Sequence, residues 1–396
     1  MGFGEQVAGN IPDSSVVDPG MRFVLMVFVL ISGLRVAVAV DFAPLLNSIE
    51  NAVTEGKVAG GSLLVLRRGE VVLERGFGFA DLESKRPFQV DTPVVVASIS
   101  KPLLGTVAFR LHEGCKVKLA DPISESLPEF AGRDLESGEP LKRAPTTLEL
   151  FTHTSGIRQS DVPGGRPWFA AWTKAKPLAE VVKRYAAEFP FEAQPGTRYA
   201  YSGIGTDVAA RVLEVASGQP RNELLVTELA GPLGMEHTRY RDAASLKKAG
   251  TMPTRYYRGK EGKLLIARRR AVPPPNTYSS SGGSIISTAP DLARWLMMIR
   301  NQGQDENGEP FLKAETVAAM LSPFSRSRNS KCGLFIRKKD QDGKVLVVGH
   351  SGSSGTNCWI DFENDIIGIM LTQTRGDDIR DFRVSLERQI REILTK

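Results

Sequence analysis

Apolar positions recur along this chain in more than one rhythm. Between residues 42 and 56, Leu45, Leu46, Ile49 and Val53 fall at helical spacing, which predicts a helix. Residues 61–79 switch to two apolar runs, Ser-Leu-Leu-Val-Leu and Val-Val-Leu-Glu. Arg67 to Glu70, with a glycine, separate them, and that pattern predicts a β-hairpin. From about residue 98 to 322 the periodicity is mostly helical, broken by long loops rich in Pro and Gly. Ala271 to Gly283 is a loop by composition. The tail returns to strands over 333–338, 344–348, 357–361 and 366–373, then closes with a helix over 379–394. Strands at both ends of a helical middle predict an α+β fold. One sheet is assembled from the two ends of the chain, about 42–97 and 325–396, and a mainly helical lobe, about 98–324, is inserted between them. The groove between the two lobes is the expected place for a substrate.

The first 39 residues follow a different rule. Residues 23–34 are an apolar run too short to span a bilayer comfortably. Arg22 precedes it, Arg35 interrupts its far end, and Ala37-Val38-Ala39 supplies a small-x-small site. This is the pattern of a secretory signal peptide, which implies export to a periplasmic or secreted location and no stable membrane span once it is removed. The same pattern also suits an uncleaved anchor. Met21 stands directly before Arg22, so residues 1–20 read as an upstream extension. Residues 1–39 hold two of the 51 basic and three of the 45 acidic residues, so the remainder carries a net charge of about +7.

Composition narrows the function. Of 396 residues, 41% are hydrophobic and 24% charged, as in a globular chain with a substantial core, and wholesale disorder is excluded. Three cysteines, Cys115, Cys332 and Cys358, exclude a disulfide scaffold and allow at most one bridge, which an exported location permits. Four histidines without an H-E-x-x-H cluster argue against a zinc hydrolase, and no metal or other cofactor is expected. Arg268-Arg269-Arg270 is the densest basic run and reads as a solvated face, so no nucleic-acid partner is expected.

Three short motifs carry chemistry. Ser98-Ile99-Ser100-Lys101 opens an apolar helical run of Leu103, Leu104, Val107, Ala108 and Leu111, which ends at Gly114. Three residues make one helical turn, so Ser98 and Lys101 share a face. A serine hydroxyl becomes a nucleophile when a neighbour takes its proton, and a lysine takes it where burial favours the neutral amine. At a helix start, the Ser98 N–H is also available to a developing oxyanion. Tyr201-Ser202 follows Pro195-Gly196, and a phenol beside a lysine can relay a proton to a leaving group. His350-Ser351-Gly352 lies in a strand-like stretch, where Gly352 would let a substrate lie against the strand edge. Taken singly, Ser98 would be a helix cap, Tyr201 a packed aromatic and His350 a structural histidine.

Together and in this order, the motifs resemble those of the serine β-lactamase and penicillin-binding protein superfamily. The likeness is to its class C-like branch, with its carboxypeptidases, aminopeptidases and esterases. Leu119-Ala120-Asp121-Pro122 and Thr147 to Ile157 (Thr-Leu-Glu-Leu-Phe-Thr-His-Thr-Ser-Gly-Ile) add to it, as do Gly231 to Met235 and Gly282 to Thr288; it covers roughly residues 42–394. The resemblance implies an antiparallel sheet flanked by helices and acyl transfer onto Ser98, with Lys101 and Tyr201 moving protons. It places the oxyanion between the N–H groups of Ser98 and Ser353, and His350, Ser351 and Gly352 along the substrate. The substrate it implies is a small ester, lactam or peptide. Two positions depart from the pattern. Gly203 stands where the family has an asparagine that holds the acyl amide, and His350 stands where β-lactamases have a lysine. Both changes favour an esterase, with a D-alanyl-D-alanine carboxypeptidase or a β-lactamase as the alternative and an inactive penicillin-binding-like sensor as another.

An α/β-hydrolase is excluded. Gly349-His350-Ser351 begins a G-x-S-x-G, but position 353 is Ser, and no histidine follows His350 as that fold requires. His112, His153 and His237 read as structural, with His153 stabilising a turn. Residues 159–190, with Trp168, Phe169 and Trp172, read as one side of the groove.

Overall fold

The computed structural model describes residues 40–157, 176–267, 277–322, 336–339, 342 and 344–396. Helix α1 (Ala43–Thr54) leads into strands β1 (Gly60–Arg67) and β2 (Glu70–Asp81). The two-residue turn between them has Arg68 at φ 55° and Gly69 at φ 85°. Two successive positive φ values give the primed turn whose twist matches that of a hairpin, and a glycine meets half of that demand without strain. A short β3 (Arg86–Pro87) adds to the edge. The tail supplies β4 (Ile336–Lys339), β5 (Val345–Ser351), β6 (Asn357–Asp361) and β7 (Ile366–Thr372). Among the described residues these form one sheet in the order β3-β2-β1-β7-β6-β5-β4. Its central seam is antiparallel β1 on β7, with Leu64 opposite Ile369 and Arg67 opposite Ile366. The two ends of the chain thus meet in the middle of the sheet, as the hydrophobic pattern predicts.

The sheet is covered on both faces, so its strands are apolar throughout. In β1, Leu63 and Val65 face one way and Leu64 and Leu66 the other, because successive side chains alternate. The first face packs against α1 through Leu45 and Ile49, and against the C-terminal helix α7 (Asp377–Thr395). Helix α7 buries Ile379, Phe382, Leu386, Ile390 and Leu394 at spacings of three and four, and Arg391 pairs with Asp361 at 2.7 Å. Gly368 of β7 faces the Trp359 ring so closely that a Cβ would lie 2.0 Å from it.

The helices between the two halves of the sheet lie behind its opposite face. They include α2 (Ser100–Glu113), α3 (Thr147–Phe151), α4 (Leu178–Glu188), α5 (Gly203–Ser217) and α6 (Ala289–Arg300), of which α6 packs directly on β1, β6 and β7. Helix α2 is buried on nearly every side, which is why its sequence carries little amphipathic contrast. A single core runs from β1, β6 and β7 through α2 to α5 and α6. The two expected lobes therefore share one interior, and Val40–Lys396 forms one compact unit. The middle is less purely helical than expected: strand Ile285–Ser287 pairs with both Val94–Val95 and Arg239–Tyr240, and Tyr256–Arg258 pairs with Leu264–Ile266. These pieces of two or three residues are too short to leave a periodic signal.

Cys115 is exposed and Cys358 is buried in β6, and both are free thiols; Cys332 lies outside the described residues. So do residues 1–39, Trp168, Phe169, Trp172 and Arg268-Arg269-Arg270. No described helix is long and apolar enough to cross a membrane, and no group of described residues could hold a metal ion.

Candidate active site

The candidate nucleophile, Ser98, stands on a strained turn. Ser98 is in a single turn of 3-10 helix, Ala97–Ile99, and α2 proper begins at Ser100. The sequence places Ser98 at the helix start; the structure puts it one turn earlier, with Lys101 in the first turn of α2. Ala97 has φ 50°, a left-handed backbone that costs a residue with a Cβ about 1–2 kcal/mol. The surroundings enforce it. The Val95 carbonyl accepts from Ser354 Oγ at 2.9 Å, and the Val96 carbonyl accepts from Thr356 Oγ1 at 2.9 Å. From the other side, Val96 N–H donates to Ile285 O at 2.9 Å, and Ile285 N–H to Ser100 Oγ at 3.1 Å. The serine is clamped between the end of the sheet and strand Ile285–Ser287.

Lys101 is 8% exposed. Its Nζ lies 3.4 Å from Ser98 Oγ and 2.8 Å from Gly282 O, and 4.7 Å above the Tyr201 ring. Gly282 has no room for a side chain, because a Cβ would lie 2.9 Å from Lys101 Nζ. The amine is thus fixed between the hydroxyl it would deprotonate and a backbone carbonyl. Tyr201 precedes α5, whose cap is Ser202 Oγ accepting from Gly205 N–H at 2.9 Å.

His153 sits behind Tyr201. Its ring is 4.5 Å from the Tyr201 ring, and its Nδ1 accepts the Ser202 N–H at 3.3 Å, which assigns the ring proton to Nε2. Its carbonyl accepts the Ala200 N–H at 2.7 Å. Burial lowers its pKa to about 3, and Lys101 and His350 push the same way, so it is neutral at neutral pH. The expectation of a turn-stabilising histidine captures its φ of 59° but not its packing on Tyr201. The run Thr152-His153-Thr154-Ser155-Gly156 is the only sequence signal for that role. His112 Nδ1 donates to Val117 O at 3.0 Å, and His237 lies 3.9 Å from Asp291, both away from the cavity described below.

Ser98, Lys101, Tyr201 and Ser353 line one cavity of about 700 Å³. Among the described residues, neither the Ser98 nor the Ser353 N–H has a hydrogen-bond acceptor. Among the described residues the cavity also receives Arg86, Arg241 and Arg255, against a single carboxylate, Asp81. Asp81 is held at a pKa of about 2, chiefly by the Ser84 N–H, then by the Thr254 and Ser84 hydroxyls. His350 stands one residue before the end of β5 with its Nδ1 2.9 Å from Ser351 O; neither residue nor Gly352 is among those that line the cavity. At Gly352 a Cβ would lie 2.2 Å from Thr356 Oγ1 and 2.5 Å from Val96 O, so the glycine admits the close approach of the strap that carries Ser98. Arg383 of α7 braces this turn at the Gly352 and Thr356 carbonyls, 3.1 and 2.9 Å away.

A serine with a buried lysine at hydrogen-bond reach, a tyrosine across the amine and two free N–H groups at one cavity define a serine hydrolase. Residues 45–390 match the Beta-lactamase family model, and the chain belongs to that family. It is 31% identical over 312 residues to the D-alanyl-D-alanine-carboxypeptidase/endopeptidase AmpH of Escherichia coli, covering 76% of this chain and 75% of AmpH. It is 32% identical over 205 residues to esterase EstB of Burkholderia gladioli, covering 50% of this chain but only about half of EstB, 51%. Among solved structures, EstCE1, a hydrolase with promiscuous acyltransferase activity, superposes with a TM-score of 0.71 at 22% identity, over 85% of this chain and 97% of its own. A beta-lactamase-like protein of Bacteroides dorei gives 0.70 at 23%, over 90% and 99%. At these identities the superpositions speak to the fold alone, which is that of the β-lactamases and transpeptidases.

Proposed function

We propose that this protein is an exported serine hydrolase that works through an acyl-enzyme and prefers small esters to β-lactams. The observation that carries the mechanism is the placement of Lys101 Nζ between Ser98 Oγ and the Gly282 carbonyl. Lys101 Nζ, as the positioned acceptor, takes the Ser98 proton as Oγ bonds to the substrate carbonyl carbon. The carbonyl oxygen becomes an oxyanion held by the Ser98 and Ser353 N–H groups. Collapse breaks the bond to the alkoxide, which leaves with a proton relayed through Lys101 and Tyr201. Water then attacks the acyl-enzyme by the reverse proton path and frees Ser98.

Two residues support the ester preference. Gly203 offers no side-chain amide to a lactam or peptide, and His350 replaces an ammonium near the expected carboxylate position. A neutral amide hydrogen bond is worth about 0.5–1.5 kcal/mol and a charge-assisted one about 1.5–3, so the pair would cost a lactam roughly thirtyfold to two-thousandfold in kcat/KM. An ester needs neither contact. The likeness to EstB agrees with this reading, and the likeness to AmpH favours a carboxypeptidase as the second. The deciding measurement is kcat/KM for p-nitrophenyl butyrate, nitrocefin and a D-alanyl-D-alanine peptide at pH 7. A higher value for nitrocefin or for the peptide overturns the ester preference. Restoring both positions with Gly203→Asn and His350→Lys shifts the ratio toward nitrocefin. Export by cleavage after Ala39 completes the proposal; an envelope fraction yields a mature chain starting at Val40, and an intact residue 1 or 21 in a cytoplasmic pool refutes it.

A further inference from the structure

A buried network outside the reacting groups converges on the residue next to Gly282. Asp207 lies on α5, six positions after Tyr201, and is 1% exposed. Its Oδ1 accepts the Ser281 N–H at 2.6 Å, and its Oδ2 accepts the Tyr278 hydroxyl at 2.7 Å and the Tyr185 hydroxyl at 3.4 Å. Arg221 is 4% exposed; it donates to Ser281 Oγ and, at 3.2 Å, to Ser279 Oγ. Its guanidinium lies 5.0 Å from the centre of the Tyr240 ring, and the Tyr240 hydroxyl donates to Ser281 O at 3.1 Å. Three side chains therefore hold the N–H, the hydroxyl and the carbonyl of one serine. Burying a carboxylate and a guanidinium carries a desolvation cost that a simple loop anchor avoids.

The next residue gives this arrangement its meaning. The Gly282 carbonyl receives Lys101 Nζ, and the missing Gly282 side chain lets the lysine stem pass. The amine reaches Ser98 Oγ at 3.4 Å, close to the limit beyond which no hydrogen bond forms. A displacement of Gly282 by a few tenths of an ångström would break that reach.

We propose that Asp207 is a positioning residue for Lys101: through Ser281 it fixes the Gly282 carbonyl that aims the amine at Ser98. This rests on the acyl-transfer reading given above. Asp207 touches no reacting atom, and its effect falls on the proton-transfer step rather than on substrate binding.

The test separates positioning from folding by counting active sites. Asp207→Ala, Asp207→Asn, Tyr278→Phe and Ser281→Ala are compared with the wild type using p-nitrophenyl butyrate, with sites titrated by a fluorophosphonate. For Asp207→Ala, kcat per titrated site falls at least about thirtyfold while KM stays within about threefold. The rising limb of its pH–kcat profile moves by about half a unit or more. Asp207→Asn retains an acceptor for the Ser281 N–H and recovers part of the rate; Tyr278→Phe and Ser281→Ala lose several-fold. The variants keep the titratable groups that face Lys101, which are Tyr201 and His153, and the charged pair Arg221 and Glu214 beside Asp207. A purely structural role lowers the number of titratable sites and leaves kcat per site and the pH profile unchanged, and that result overturns the proposal. If Asp207→Ala does not fold, unchanged kcat per site and pH profile in Asp207→Asn and Tyr278→Phe overturn it equally. Wild-type protein that is not labelled at Ser98 overturns the acyl-transfer reading first, and this inference with it.

Discussion

Single atoms decide the chemistry of Ser98. Its hydroxyl faces Lys101 Nζ at 3.4 Å, so removing either partner should stop acylation. Ser98→Ala is expected to abolish labelling by a fluorophosphonate with the melting temperature little changed; undiminished labelling would put the nucleophile elsewhere. Lys101→Ala is expected to slow acylation about a hundredfold or more, since the serine proton loses its positioned acceptor. A loss below tenfold would mean that another base serves. His153 predicts a pH effect on stability. Its folded pKa of about 3 lies below the ordinary 6.5, so the unfolded chain binds a proton that the folded chain refuses. Nothing is lost above pH 6.5; stability falls from there down to about pH 3, by about 2 kcal/mol at pH 5 from this residue. His153→Asn, which suits the left-handed backbone, should flatten that part of a melting-temperature profile. An unchanged slope would assign the loss to other groups.

At the scale of elements, the site exists because short segments are pressed together at glycines. Gly352→Ala would drive a methyl into Thr356 Oγ1 and the Val96 carbonyl, which already bond to each other. The expected outcome is a destabilisation of about 1–3 kcal/mol with slower acylation, because the displaced strap carries Ser98. Full acylation at normal stability would show that the strap is held by other contacts. The motif order made Ser98, Lys101 and Tyr201 legible, and helical spacing put the first two on one face. The clamp on Val94–Ala97 was not legible, since its donors, Ser354, Thr356 and Gln373, are common polar residues about 260–280 positions away. Nor was the approach of Val96 to Gly352 legible, because a glycine announces a close approach but not what approaches.

On the scale of the whole molecule, the two ends of the chain depend on each other. Helix α7 buries five large side chains against a sheet begun by β1, each worth about 1.5–3 kcal/mol. Together they match the ~5–15 kcal/mol by which a domain is stable. A chain ending before Asp377 is therefore expected to be unfolded or insoluble, as read by circular dichroism and size exclusion. A soluble, cooperatively melting product would contradict this.

The sequence by itself determined the α+β class, the meeting of both ends in one sheet and the boundaries of the long elements within a few residues, and it singled out Ser98, Lys101 and Tyr201, which the fold brings together. These are properties of periodicity and order, which local side-chain alternation writes into the chain. Only the tertiary structure decided that Ser98 precedes its helix on a strained turn, that His153 supports Tyr201, that the lobes share one core, and that Asp207 reaches toward Lys101 through Ser281 and Gly282. Each of those depends on contacts between residues 50 to 280 positions apart, and a buried polar side chain carries no mark in sequence of the partner that satisfies it.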